Sequence, residues 1–130
     1  MWERRRVLKE RLLTEHQTIE SVLVLYIEQV LEEYEKDAGK YVEYVEAFIT
    51  NVETRLSSHM EFEEKEIFPL VSGHPLVEEL TNEHKEIRNM LGLARDAESM
   101  QEKIEILRKL AGYIKKHIKK ENTQLVPLLY

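Results

Sequence analysis

Residues 59–71 read His59-Met60-Glu61-Phe62-Glu63-Glu64-Lys65-Glu66-Ile67-Phe68-Pro69-Leu70-Val71. Residues 117–129 return the same plan as His117-Ile118-Lys119-Lys120-Glu121-Asn122-Thr123-Gln124-Leu125-Val126-Pro127-Leu128-Leu129. In both, a Glu follows the His by four residues, an apolar residue by eight and a proline by ten. A second echo stands ahead of each segment, Glu15-His16 with Ile19 and Glu83-His84 with Ile87. The chain therefore reads as two copies of one unit, a helix with a single His followed by a helix carrying His-x-x-x-Glu.

Apolar residues recur at steps of three and four in four segments, the mark of helices with one buried stripe. The stripes run Leu8, Leu12, His16, Ile19, Leu23, Tyr26, Val30, Tyr34; then Tyr41, Val45, Phe48, Val52, Leu56, His59, Glu63, Ile67. The third runs Leu76, Leu80, His84, Ile87, Leu91, Ala94, and the fourth Leu107, Leu110, Ile114, His117, Glu121, Leu125. Breaks fall at Asp37-Ala38-Gly39, at Ser72-Gly73-His74-Pro75 and near Glu98-Ser99-Met100, while Pro69 and Pro127 are expected to stop or kink their helices. The expected fold is all-α, an antiparallel up-down-up-down four-helix bundle, with residues 1–130 as a single domain.

The turns supply a test of the repeat. Residues at one height of an up-down bundle are equidistant from the turn between them. The midpoint of His16 and His59 falls at Asp37-Ala38, that of His59 and His84 at Val71-Ser72, and that of His84 and His117 at Met100-Gln101. Each lies on or beside a turn read from other residues, so the four histidines are expected at one level, facing inward.

Composition narrows the chemistry. With no cysteine, disulfides, thiolate metal sites and Cys nucleophiles are excluded, leaving imidazole and carboxylate as ligands. A net charge of −6 argues against nucleic acid, and no apolar run approaches the ~18 residues of a membrane span. The opening Met-Trp-Glu-Arg-Arg-Arg lacks the apolar stretch of a signal peptide, and a cytoplasmic setting is expected. No sensor, ligase or kinase segment accompanies the repeat, so a stand-alone role is expected.

Buried imidazoles and carboxylates are costly unless paired, and a pair of cations removes that cost. The ligand arithmetic places His16 and His59 on one ion and His84 and His117 on another, with Glu63 and Glu121 bridging. Nitrogen and oxygen donors with positions left open favour iron or manganese over a closed structural zinc site.

The pattern H, HxxxE, H, HxxxE, with Phe68-Pro69-Leu70 and Val126-Pro127-Leu128 closing its second and fourth helices, resembles the hemerythrin-like (HHE cation-binding) family over nearly the whole chain. The resemblance implies a four-helix bundle around two iron ions with an oxygen-type bridge (an Fe-O-Fe centre), and His16, His59, Glu63, His84, His117 and Glu121 as the metal ligands. Manganese or zinc is the alternative occupant. The oxygen-carrying hemerythrins have two histidines four apart on the third helix, whereas the positions four away from His84 are Leu80 and Arg88. Their second acidic ligand is typically an Asp five residues after the His, whereas Glu121 comes four after His117. The closer resemblance is to domains with a more symmetric site, found in iron or oxygen sensing and oxidant handling. The ferritin-like pattern does not apply, since none of the five histidines has a Glu three residues before it.

Several neighbours have two readings. Glu20, four after His16, is a seventh ligand, an ion-pair partner of Arg88 or a surface residue. Tyr113 is a phenol near the centre or a core aromatic. Glu15 and Glu83 accept the outer ring N–H of a neighbouring histidine or face solvent. His74, about 15 Å along the helix from His84, is a loop residue. The basic runs Arg4–Arg6 and Lys115–Lys120 read as a solvated outer face. Three functions follow: binding of oxygen or another small diatomic, oxidoreductase chemistry on peroxide, nitric oxide or oxygen, or a metal-free helical interaction domain. No substrate pocket with separate acid, base or cofactor-binding groups stands out, which favours ligand binding.

Overall fold

The computed structural model describes residues 2–36 and 42–129, and all its regular structure is helical. The described residues form five α-helices: α1 (Trp2–Thr18), α2 (Leu25–Lys36), α3 (Val42–Phe62), α4 (Pro75–Asp96) and α5 (Met100–Lys120). Wider π-helical turns follow α1 at Ile19–Val24, α3 at Glu63–Ile67 and α5 at Glu121–Leu125. Tight 3-10 turns at Phe68–Val71 and Val126–Leu129 close the two cassettes. The expected turn at Asp37-Ala38-Gly39 and the stripe residue Tyr41 lie outside the described residues, as do the side chains of Tyr26 and Tyr34.

The cassette prolines account for the paired π turns. Pro69 and Pro127 have no N–H to offer the carbonyls of Lys65 and Thr123, and their rings crowd those carbonyls. The chain widens just ahead of each, so that Phe68 N–H bonds to the Glu63 carbonyl and Val126 N–H to that of Glu121, five residues back in both cases. The π turn after α1 has no proline behind it; beside it the Thr18 hydroxyl donates to the Thr14 carbonyl (3.0 Å) and that of Ser21 to the Gln17 carbonyl.

This first π turn corrects one expected stripe. Beyond Leu23 the periodicity predicts Tyr26, Val30 and Tyr34 as the inward positions, but Ile27 and Leu31 are buried and Val30 only half so. The extra residue in the turn rotates everything downstream by about 100°, one position of an α-helix. The other three stripes are buried at every described position.

The later breaks are closed by defined caps. Gly73 adopts φ +90°, a backbone conformation L side chains resist, and His74 caps α4 by accepting the Leu76 N–H on Nδ1 (3.1 Å). Ser99 caps α5 through the Glu102 N–H (3.1 Å). At the far end of α4, Lys103 is buried and its ammonium donates to the carbonyls of Ala94 (3.0 Å) and Arg95 (2.7 Å), which have no partner within the helix.

Helix α4 packs on α3 and α5, α2 packs on α5, and α1 lies against the ends of both cassettes. The apolar interior has two parts. One holds Leu8 and Leu12, Phe62, Ile67 and Phe68, Leu76 and Leu80, and Leu125, Val126 and Leu129. The other, larger part begins at Ile19, Ile87, Ile118 and Met60 and fills the space among α2, α3, α4 and α5. The chain passes from the smaller part to the larger across His16 and His84, and in the opposite sense just after His59 and His117, past Met60 and Ile118. Among the described residues no helix is long and apolar enough to cross a membrane.

Candidate metal centre

Six polar residues occupy the layer between the two apolar parts: His16, His59, Glu63, His84, His117 and Glu121, all buried, with His84, Glu63 and Glu121 fully so. These are the six that the repeat nominates, and the structure brings them all together. Their donor atoms form two overlapping sets, His16, His59, Glu63 and Glu121 in one and His84, His117, Glu63 and Glu121 in the other, each within 4.8 Å. Both carboxylates belong to both sets. The imidazoles pair accordingly, with ring centroids 5.0 Å apart for His16 and His59 and 4.9 Å for His84 and His117.

Every Nε2 faces a carboxylate oxygen. Glu63 Oε1 lies 2.9 Å from His59 Nε2 and 3.2 Å from His84 Nε2, while Glu121 Oε1 lies 3.1 Å from both His16 and His117. These approaches are close but make no aligned hydrogen bond. The four Nε2 atoms and all four carboxylate oxygens are buried without a partner. Eight orphaned polar atoms aimed into one volume would be prohibitively costly in an ordinary core. They suit cations: donors bound at right angles to one ion at about 2.1 Å sit about 3 Å apart, the spacing seen here.

The reverse side of each ring fixes which nitrogen faces in. His59 Nδ1 lies 2.8 Å from Glu15, His84 Nδ1 2.8 Å from Glu64, His117 Nδ1 2.7 Å from Glu83 and His16 Nδ1 2.6 Å from Asn122 Oδ1. A carboxylate or carbonyl there accepts the Nδ1–H, so a neutral ring in this position turns the lone pair of Nε2 inward. The carboxylates are themselves held by cations. Arg11 pairs with Glu15 (2.7 Å), Arg88 grips Glu64 through two bonds (3.0 and 2.9 Å), and Lys120 bonds to Glu83.

Electrostatics states the same demand for positive charge. Burial alone would depress the His16 pKa, but Glu121 and Glu63 outweigh it and raise the value to about 10. Burial likewise opposes protonation of His59, which Glu15 and Glu63 raise to about 9. Glu121 is pushed up by burial and by the facing Glu63 charge, since two adjacent buried carboxyls resist ionising together. For Glu15, Glu64 and Glu83, burial pushes the pKa up but hydrogen bonds from the cations and histidines outweigh it, so all three stay below the usual carboxylate range.

The remaining candidates sort plainly. Glu20 is exposed and Arg88 pairs with Glu64 instead. Leu80 is fully buried in the apolar part and Arg88 points outward, so neither position four away from His84 adds a ligand. Tyr113 packs against the larger apolar cluster beside the Glu83 and Glu86 charges, outside the six-residue layer. His74 is exposed. Sequence reasoning missed Glu64 and Asn122; their signal is that each directly follows the Glu of its cassette. A groove of about 380 Å³ between α1 and α3, lined in part by Ile19, Leu23, Thr54 and Ser58, reaches Glu15 and His59 from outside.

A family model for the hemerythrin HHE cation-binding domain matches residues 7–129. The chain belongs to the hemerythrin HHE cation-binding family. The match takes in both copies of the repeat and all six residues of the buried layer. Comparison with curated proteins and with solved structures gave no match. The buried His/Glu cluster of this HHE domain is compatible with metal binding.

Proposed function

We propose that this HHE domain is a non-heme di-iron protein that binds oxygen or another small diatomic ligand, in storage, delivery or sensing. The observation that carries the reading is the set of eight buried, unpartnered nitrogen and oxygen atoms converging on one layer. That observation also weighs against a metal-free interaction domain, which would have to leave all eight unsatisfied.

In this reading His16 and His59 hold one ion, His84 and His117 the other, and Glu63 and Glu121 span both. Four protein donors per ion leave positions for a small ligand, which favours iron over a closed zinc site. Iron held there supplies redox-active coordination of that ligand. The protein's own part is orientation and exclusion. Glu15, Glu64, Glu83 and Asn122 keep each Nε2 lone pair inward, and Leu12, Leu80 and Leu125 wall the layer from water on one side. The groove lined by Glu15 and His59 opens beside the layer and offers a small apolar ligand an approach.

The same reading takes α1 and α2 as one rod bent at its π turn, giving an up-down-up-down four-helix bundle in which residues 1–130 form one domain. The alternating sense in which the segments cross between the two apolar parts supports it. The cysteine-free composition fits a cytoplasmic setting.

The test is an optical spectrum of iron-loaded protein taken with and without air. A reversible change of the charge-transfer bands on removing oxygen is expected. Irreversible bleaching with turnover of added peroxide or nitric oxide would move the assignment to an oxidoreductase, and an unchanged spectrum under every added ligand would refute both.

A further inference from the structure

The groups that hold the four imidazoles from behind obey the sequence repeat except at one position. Glu15 and Glu83 each precede an equivalent histidine and accept from the equivalent partners His59 and His117. Glu64 directly follows Glu63 and accepts from His84 (2.8 Å). Its counterpart directly after Glu121 is Asn122, which accepts from His16 (2.6 Å) through an amide oxygen. One carboxylate of four is thus replaced by a neutral group.

A second departure falls on the same side. Arg88, four residues after His84, clamps Glu64, whereas the residue four after His16 is Glu20, exposed and acidic. A carboxylate at position 122 would lack the cation that the repeat supplies at 88. Carboxylate with cation at one histidine and amide with acid at the other form a matched exchange.

How strongly the outer group pulls on Nδ1–H sets how much electron density Nε2 gives its metal, and a carboxylate pulls harder than an amide. We infer that Asn122 makes the two metal positions inequivalent: the ion between His16 and His59 is the electron-poorer of the two. It is held by one carboxylate-backed and one amide-backed ring, the other ion by two carboxylate-backed rings. The inference rests on the dinuclear reading above.

The experiment is the Mössbauer spectrum of the diferric protein, a readout independent of activity. Wild type is expected to give two quadrupole doublets of equal area. N122E combined with E20R, which rebuilds the Glu64–Arg88 pair at His16, is expected to merge them. E64N combined with R88E, which copies the amide side onto His84, should merge them as well, and all four changes together should split them again. N122D and E64Q, smaller changes, should each narrow the splitting. One doublet in wild type loaded with two irons, or a splitting unaltered in every variant, overturns the inference. Wild type unable to hold two irons overturns the dinuclear reading instead.

Discussion

At the scale of single residues, the six buried histidines and glutamates were legible because the repeat repeats their spacing and the helical period fixes their face. What the letters did not disclose is which residue stands behind each ring. Glu15 was open between solvent and a histidine because its own helix turns it about 100° from His16, and it reaches His59 on another element. His59→Ala and Glu121→Ala are expected to lose bound metal, at least tenfold in affinity, while His74→Ala retains it; metal content of the purified variants checks this. A pH dependence follows from the raised histidines. In protein stripped of metal, His16 and His59 titrate near 10 and 9 when folded but near the ordinary 6.5 when unfolded. Their protonation therefore stabilises the fold fully below pH 6.5, and that stability is lost as pH rises through 9 to 10. Thermal unfolding of chelated protein across that window should show a falling midpoint; a rising one would contradict the buried geometry.

At the scale of elements, the stripes on α3, α4 and α5 were readable from periodicity, since each of those helices keeps one winding along its whole length and the π turns after α3 and α5 come only at the cassette glutamates. The stripe beyond Leu23 was not, because a π turn leaves the apolar spacing ambiguous by one residue and no proline announces it. Its consequence is measurable. Ile27→Ala should cost about 2–5 kcal/mol of stability, as for other large-to-small changes in a core, and Val30→Ala clearly less. A larger cost for Val30→Ala than for Ile27→Ala in denaturant unfolding would place the stripe where simple periodicity put it. Ser99→Ala should cost about 1 kcal/mol through loss of the α5 cap.

At the scale of the whole molecule, the centre divides the core in two, and each segment is apolar on either side of its polar layer. The buried, unpartnered donors of such a fold call for positive charge, so in the proposed reading loading with metal raises stability. Loading to a thousandfold excess over the dissociation constant adds about 4 kcal/mol per independent site, which a chelator should remove as a lower unfolding midpoint. In the proposed reading these six residues hold two ions in one shared site. Anaerobic titration of the metal-free protein with ferrous iron decides it. Binding should saturate at two irons per chain in the wild type and be lost in the His59→Ala variant. Saturation at one iron, or no stoichiometric binding, would contradict it.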